Sequence, residues 1–472
     1  MQPQRTPIVV LGAGPAGLGA ALELARRDAF DVTVIERQAA VGGNAGSFEL
    51  EGLRVDYGSH RLHPSCQPRI LADIRAMLGP DLLDRPRHGR IRLRGRWLHF
   101  PLKPADLAFH LPPAFLFGVL CDTVVRPGRN SGPETFASVL ERGLGRTICR
   151  DFYFPYAEKI WGLPASELDA EQARRRVSAG SLAKMLRKVA GAVPGLKPEG
   201  NSRFFYPRKG YGQISEAYYR AAIEAGAKVQ LRTTVTGVEP AAGRDVVVTV
   251  SSEAGENRLP ARQVLSTIPL PLLVRMVSPP APPEVLASAG ALRYRAMILI
   301  YLVLATDRFT EYDAHYFPSP EVAITRLSEP KNYGLADIEG RTVLCAEIPC
   351  SPQDPVWRAT DQELGALVLE TLARAELPVG APLCRVVTRR LEQAYPIYTR
   401  NYREHFDRLD KWVSSVDGLL TIGRQGLFAH DNTHHTLAMA YAVGECLDSA
   451  GRLDRERWAI HRREFQAFVV ED

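Results

Sequence analysis

The apolar run Pro7-Ile8-Val9-Val10-Leu11 leads directly into Gly12-Ala13-Gly14-Pro15-Ala16-Gly17, and an Ala/Leu-rich stretch follows. A strand that empties through Gly-x-Gly-x-x-Gly into a helix has few ways to fold, because each glycine meets a different steric demand. Gly12 permits the tight turn, Gly14 lets the backbone approach a pyrophosphate, and Gly17 lets helix and strand pack closely. Pro15 and Ala16 open the helix, whose free N–H groups and dipole favour an anion.

The context extends this nucleotide reading. A second apolar run, Val32-Thr33-Val34-Ile35, ends in Glu36, about 20 residues beyond the last glycine, the spacing of a ribose-binding acid. Its carboxylate accepts from ribose hydroxyls and repels a 2′-phosphate, and Arg37 follows as a further cofactor contact. The glycine pair of Val41-Gly42-Gly43-Asn44 suits a backbone packed on the far side of the same nucleotide. A plain NAD site has no need of that pair, so FAD is the expected cofactor.

At 472 residues the chain exceeds the size at which one core stops growing, and two domains are expected. A formal charge of +6 spread along the chain is too diffuse for nucleic acid, though it suits phosphate-bearing ligands or anionic lipid. Seven cysteines without C-x-x-C spacing read as reduced thiols of a cytoplasmic protein. The first strand begins within seven residues of Met1, which leaves no room for a signal peptide.

The pattern divides the chain into five segments: cofactor binding over 1–65, 204–275 and 411–472, a mostly helical cap over 66–203, and a substrate-domain sheet over 276–410. Hairpins are predicted about Glu51-Gly52 and Arg94-Gly95, and helices over 68–79, 134–142, 146–161 and 361–375. Asp169 and Gln172 are spaced as a capping box, and strands are predicted near 314–327 and 342–349. Residues 189–203 read as exposed, and 296–305 as a central strand buried on both faces. The apolar run 105–125 is broken at Pro112-Pro113, so it reads as two buried helices. The alternative is a peripheral membrane patch, with Lys103, Arg126 and Arg129 facing lipid phosphates. Near the end, Asp417 to Arg424 is a strand closing in Gly423, and a helix spans Thr436 to Ser449. This second strand–glycine–helix pattern implies that both ends of the chain meet at one cofactor.

These features resemble the FAD-dependent amine-oxidase superfamily, near its protoporphyrinogen-oxidase-like, phytoene-desaturase-like and UDP-galactopyranose-mutase-like branches. The resemblance rests on Gly12 to Gly17, Glu36 with Gly42-Gly43-Asn44, Asp56-Tyr-Gly-Ser-His-Arg61, Pro155-Tyr-Ala-Glu-Lys-Ile-Trp-Gly162, Tyr206-Pro-Arg-Lys-Gly210, and Ile422-Gly-Arg with His430-Asp-Asn-Thr-His-His435. It implies an α/β fold: a glutathione-reductase-type Rossmann FAD-binding domain with an interleaved α+β substrate domain. It further implies that Gly43, Asn44, Gly58, Ser59 and His60 lie along the flavin and that Val235 touches the adenine through its backbone. Gly423, Arg424, Asn432, Thr433 and Thr436 would close over the phosphate, ribityl chain and ring. The flavin-tethering Cys of monoamine oxidases has no counterpart, so the FAD is expected to be noncovalent.

Flavin chemistry asks little of side chains, since the cofactor carries the hard step. The catalytic candidates are His60, Arg61 and His434, and the substrate candidates are Arg208, Tyr398 and Trp161. Glu158 and Lys159 read as a buried salt bridge beside a core Trp161. His434 and His435 are adjacent and would point apart, so no metal is expected. Three functions fit: an FAD-dependent oxidoreductase acting on a small organic substrate, a redox-neutral sugar mutase or isomerase, and a flavin-binding protein without turnover.

Overall fold

The computed structural model describes residues 5–100, 106, 110–124, 133–176, 203–240, 245–334 and 338–470. Two sheets organise them. The first is parallel and five-stranded, in the order Leu419–Thr421, Gln263–Ser266, Thr6–Leu11, Phe30–Ile35, Lys228–Gln230. Its strands are apolar on both faces because both are covered. Ile8, Val10, Val32 and Val34 pack under the helices Pro15–Ala25, Gln213–Glu224 and Thr433–Cys446. Val9, Leu11 and Ile35 pack against the antiparallel sheet Thr234–Pro240, Val246–Ser252, Gly255–Ala261.

The second sheet has seven strands, ordered Leu383–Ile397, Arg293–Leu304, Thr342–Cys350, Arg326–Ser328, Ala314–Tyr316, Gly89–Leu93, Arg96–Phe100. Arg293–Leu304 is buried without interruption from Ala296 onward, yet its two faces do different work. Ile298, Ile300 and Leu302 pack under the helix Asp361–Arg374, while Met297, Leu299 and Tyr301 face the hairpin Ser47–Leu50/Leu53–Asp56. That hairpin joins the two sheets and turns at Glu51 and Gly52, both in the left-handed region.

Several local expectations change. The predicted strand region 314–327 is two three-residue strands running antiparallel, joined by a turn. The predicted helix 146–161 contains a π-turn over Cys149–Tyr153, and Gly145 at φ +84° separates it from Phe136–Leu144. Asp169 accepts from the Glu171 N–H, but the buried Gln172 amide does not reach back, so only half of the capping box forms. The helix predicted over 436–449 spans Thr433–Cys446, beginning one turn earlier because Asn432 opens it, and Arg455–Gln466 follows as the last helix.

In the apolar run, Pro113–Val124 is one helix, with Phe115 buried and Phe117 exposed. Among the described residues no helix is long and apolar enough to cross a membrane. Lys103, Arg126, Arg129 and the segment 189–202 lie outside the described residues.

Candidate functional site

The glycine turn is shaped by close backbone contacts. Gly12 sits at φ +100° and donates its N–H to Ile35 O at 2.8 Å. A Cβ on Gly17 would lie 1.9 Å from Gly12 O, so helix and turn touch there. A Cβ on Gly14 would meet nothing within 4 Å. Gly14 also leaves the N-terminus of Pro15–Ala25 without a side-chain cap, and no acidic residue occupies the first turn. The open space therefore faces uncapped N–H groups at a positive helix end, a setting that favours an anion.

Two remote segments close around this space. Gly42 donates to Ala13 O at 2.8 Å, and a Cβ on Gly43 would lie 3.7 Å from Gly14 Cα. From the other end of the chain, Gly423 sits at φ +79°, where a Cβ would come within 2.8 Å of Ala16 Cβ. Glu36 is buried at the end of its strand, accepting from Ala13 N–H at 2.8 Å and Gln38 N–H at 2.9 Å, while Arg37 is exposed. Val235 packs in one cluster with Ile35, and nearby Thr233 donates to Glu36 O at 2.9 Å. An acid beyond the second strand, open space before an uncapped helix, and glycines on both sides form a set that fits FAD.

The Asp56 to Arg61 turn is held from three directions. The buried Asp56 carboxylate accepts from Tyr206 Oη at 2.5 Å, Ser47 Oγ at 2.6 Å and Tyr211 N–H at 2.8 Å. Gly58, at φ +95°, donates to Asp56 O, and Ser59 N–H donates to Glu347 Oε1 at 3.0 Å. The same Glu347 oxygen accepts from Arg326 Nε and Nη2 at 3.0 and 2.7 Å. His60 Nε2 donates to Tyr57 O at 2.9 Å and stacks on Tyr211 with 5.2 Å between centroids. Burial lowers the His60 pKa, which keeps the ring neutral near pH 7, against the pull of Asp56. Arg61 lies over the Phe204 ring at 4.8 Å, donates to Tyr316 Oη at 3.3 Å, and stands 3.3 Å from Asp313.

The return loop is stapled to the second sheet. Arg424 donates to Ala394 O at 2.9 Å and Asp431 O at 3.4 Å, and covers the Tyr395 ring. Asn44 and Gln425 both donate to Gln393 O, at 3.3 and 2.7 Å. Asn432 opens the helix, donating its N–H to His435 Nδ1 at 3.2 Å, and Thr436 Oγ1 donates to Thr433 O at 2.8 Å. The buried His434 and His435 rings lie 4.1 Å apart. The Asp431 carboxylate accepts no hydrogen bond among the described residues, faces Arg175 Nη1 at 3.9 Å and His435 Nδ1 at 3.7 Å, and is pushed by burial to about 6.

Several substrate candidates fall elsewhere. Arg208 is half-exposed and faces Asp81 at 3.4 Å, so it does not join the buried arginines at the turn. Tyr398 is buried, stacks on Tyr402 at 3.9 Å and donates to Phe428 O at 2.9 Å, so it braces the return loop from behind. Trp161 packs against Phe136 at 5.5 Å with its edge toward His430 at 6.4 Å. Glu158 is exposed and forms no bridge with Lys159, whose ammonium goes to backbone carbonyls instead. Sequence reasoning missed Arg326, Glu347, Tyr316 and Asp313. The only trace of Glu347 was a carboxylate inside the otherwise apolar Thr342–Cys350.

Comparison with known proteins agrees with this geometry. A profile of the family described as flavin containing amine oxidoreductase matches residues 15–446. Over 81 residues, 16% of this chain and 15% of the relative's length, the sequence is 43% identical to a phytoene dehydrogenase of Streptomyces griseus. Among solved structures, a reduced UDP-galactopyranose mutase superposes with a TM-score of 0.77 at 20% identity, covering 94% of this chain and 93% of that one. Cyclohexylamine oxidase from Brevibacterium oxydans IH-35A superposes at 0.66 with 16% identity, covering 94% and 99%. With a family match across nearly all its length and the cradle that such a match requires, this chain belongs to the flavin containing amine oxidoreductases.

Proposed function

We propose that the chain is an FAD-dependent oxidoreductase, a dehydrogenase or oxidase, that holds FAD noncovalently and removes hydride from a small organic substrate. The observation that carries this reading is the convergence of Gly14, Gly43 and Gly423 around open space at an uncapped helix N-terminus. Bound FAD supplies the hydride acceptor, N5 of its ring. The chain supplies the rest. Glu36 and the helix end orient the nucleotide, and Glu347 fixes the Ser59 N–H of the turn that would face the ring. His60, kept neutral by burial, donates to Tyr57 O and so holds the turn rather than carrying charge. Arg61 and Arg326 place two buried guanidinium groups beside this turn, each already paired with a carboxylate, Asp313 and Glu347, so they hold the turn and leave the substrate's charge open. The test is whether purified protein carries a flavin absorption band that bleaches anaerobically with an organic substrate. Colourless protein that takes up no FAD refutes the reading.

A second reading, a redox-neutral sugar mutase, is favoured by the shared fold with UDP-galactopyranose mutase. A mutase turns over only with pre-reduced flavin and leaves no net redox change, whereas the oxidoreductase bleaches its flavin stoichiometrically. We further propose that the protein is cytoplasmic, with peripheral membrane contact through residues 105–125, where the helix Pro113–Val124 exposes Phe117.

A further inference from the structure

The helix Phe154–Trp161 carries one half-buried lysine that the proposed chemistry does not use. Lys159 Nζ donates to three main-chain carbonyls: Phe317 O at 2.6 Å, Ser319 O at 2.9 Å and Ile324 O at 2.9 Å. Every N–H of the ammonium is thereby occupied, and Lys159 forms no ion pair among the described residues. Burial without a carboxylate pulls Lys159 down to about 7, and the three backbone dipoles are what favour its ammonium form.

All three carbonyls belong to one turn, the link between Ala314–Tyr316 and Arg326–Ser328. These strands are three residues each and are held on their outer sides by Gly89–Leu93 and Thr342–Cys350, which leaves the turn between them without a ladder of its own. Beyond the ladder the turn is closed by Phe317 N–H to Thr325 O at 3.0 Å and Val322 N–H to Ser319 O at 3.3 Å, and Thr325 ties it to the next strand through Glu347 O, by its N–H at 2.9 Å and its Oγ1 at 3.2 Å. Tyr316 and Arg326 are direct cross-strand partners at the mouth of this turn. Tyr316 receives Arg61, and Arg326 holds the Glu347 oxygen that fixes Ser59 N–H. If the turn opens, Arg326 leaves Glu347, and a nearly fully buried carboxylate loses its counter-charge.

We propose that Lys159 is a positioning residue: its ammonium, caged by the Phe317, Ser319 and Ile324 carbonyls, locks the turn that aims Tyr316 and Arg326 at the Gly58–Ser59 segment. The lock is a property of the fold, and its link to the flavin rests on the function proposed above. The experiment uses Lys159→Ala in the protein as purified, with the exposed neighbour Glu158→Gln as control. Hydrogen exchange of peptides spanning 314–328 should quicken by about tenfold, while peptides of the glycine turn stay unchanged. The visible circular dichroism of the flavin band should shift with it. n-Propylammonium, which replaces the missing stem and charge, should restore both readouts, and 1-propanol should restore neither. Unchanged exchange over 314–328, or failure of propylammonium to restore it, overturns the lock. Faster exchange with an unaltered flavin band overturns the positioning role and leaves a structural one. If Lys159→Ala does not fold, Lys159→Met keeps the stem and is tested in the same two readouts. Wild-type protein without any flavin refutes the functional reading alone, because the exchange arm still reads the lock.

Discussion

Substituting alanine at Gly14 and at Gly17 separates the cofactor cradle from the fold that bears it. Gly14 has φ −77° and ψ 178°, extended backbone that any residue adopts, and its Cβ would project into open space. Gly14→Ala therefore leaves the flavin-free protein unharmed, or stabilises it by about 0.4–1 kcal/mol through a stiffer unfolded chain. The same methyl stands where a pyrophosphate would approach. Loss of the helix-end contact costs up to about 2 kcal/mol, and crowding adds about 1–3 kcal/mol. The sum, roughly 1–5 kcal/mol, weakens FAD binding by about fivefold to about four-thousandfold. Gly17→Ala behaves oppositely, because its Cβ would fall 1.9 Å from the Gly12 carbonyl, which only backbone movement can relieve. It should destabilise the flavin-free protein by about 3 kcal/mol or more. Thermal melts of protein stripped of flavin, with fluorescence titration by added FAD, read both effects. Gly14→Ala binding FAD within about threefold of wild type, about 0.7 kcal/mol, refutes the cradle.

Three further outcomes follow from the geometry. Asp56→Ala strands three buried donors and should cost about 3–6 kcal/mol in urea denaturation. Asp56→Asn should cost less, because the Ser47 and Tyr206 hydroxyls can rotate, and equal losses would reject the network. Asp431 keeps its proton to about 6 in the folded chain against 3.8 as the ordinary value, with Arg175, Arg424 and His435 around it. The folded state binds more protons between these values, so this contribution to stability falls as pH rises from about 4 to about 6, by at most about 3 kcal/mol. Asp431→Asn lacks that slope, and parallel stability curves for the two proteins would contradict the burial argument. Phe117 is 69% exposed on an apolar helix, so Phe117→Glu should abolish co-sedimentation with anionic vesicles. Wild-type protein that ignores such vesicles removes the membrane contact.

The nucleotide end was legible because its constraints are local and steric. A glycine that must take φ +100°, or touch a carbonyl at the next turn of chain, announces itself in a few letters. The approach of Gly423 to Ala16 could be anticipated too, since each end repeats strand, glycine and helix. The region above the turn was not legible. Arg326 and Glu347 face each other only through the register of two strands, and that register depends on a turn no motif marks. The expected Glu158–Lys159 bridge failed for a general reason: consecutive residues on a helix point about 100° apart and do not face each other.

That failure shows where the informative contacts lie. Lys159 satisfies its charge on a turn about 160 residues away in sequence, Glu347 satisfies Ser59 across 288 residues, and Arg424 reaches Ala394 from the return loop. Each of these ties the second sheet to a segment of the cradle or cap, and none uses a glycine. Family membership across residues 15–446 leaves the reaction open, and we propose that the way Arg61, Arg326 and Tyr316 are held bears on it. Substitutions at Lys159 and Glu347 should then alter substrate response at unchanged flavin content, whereas substitutions at Gly14 should do the reverse.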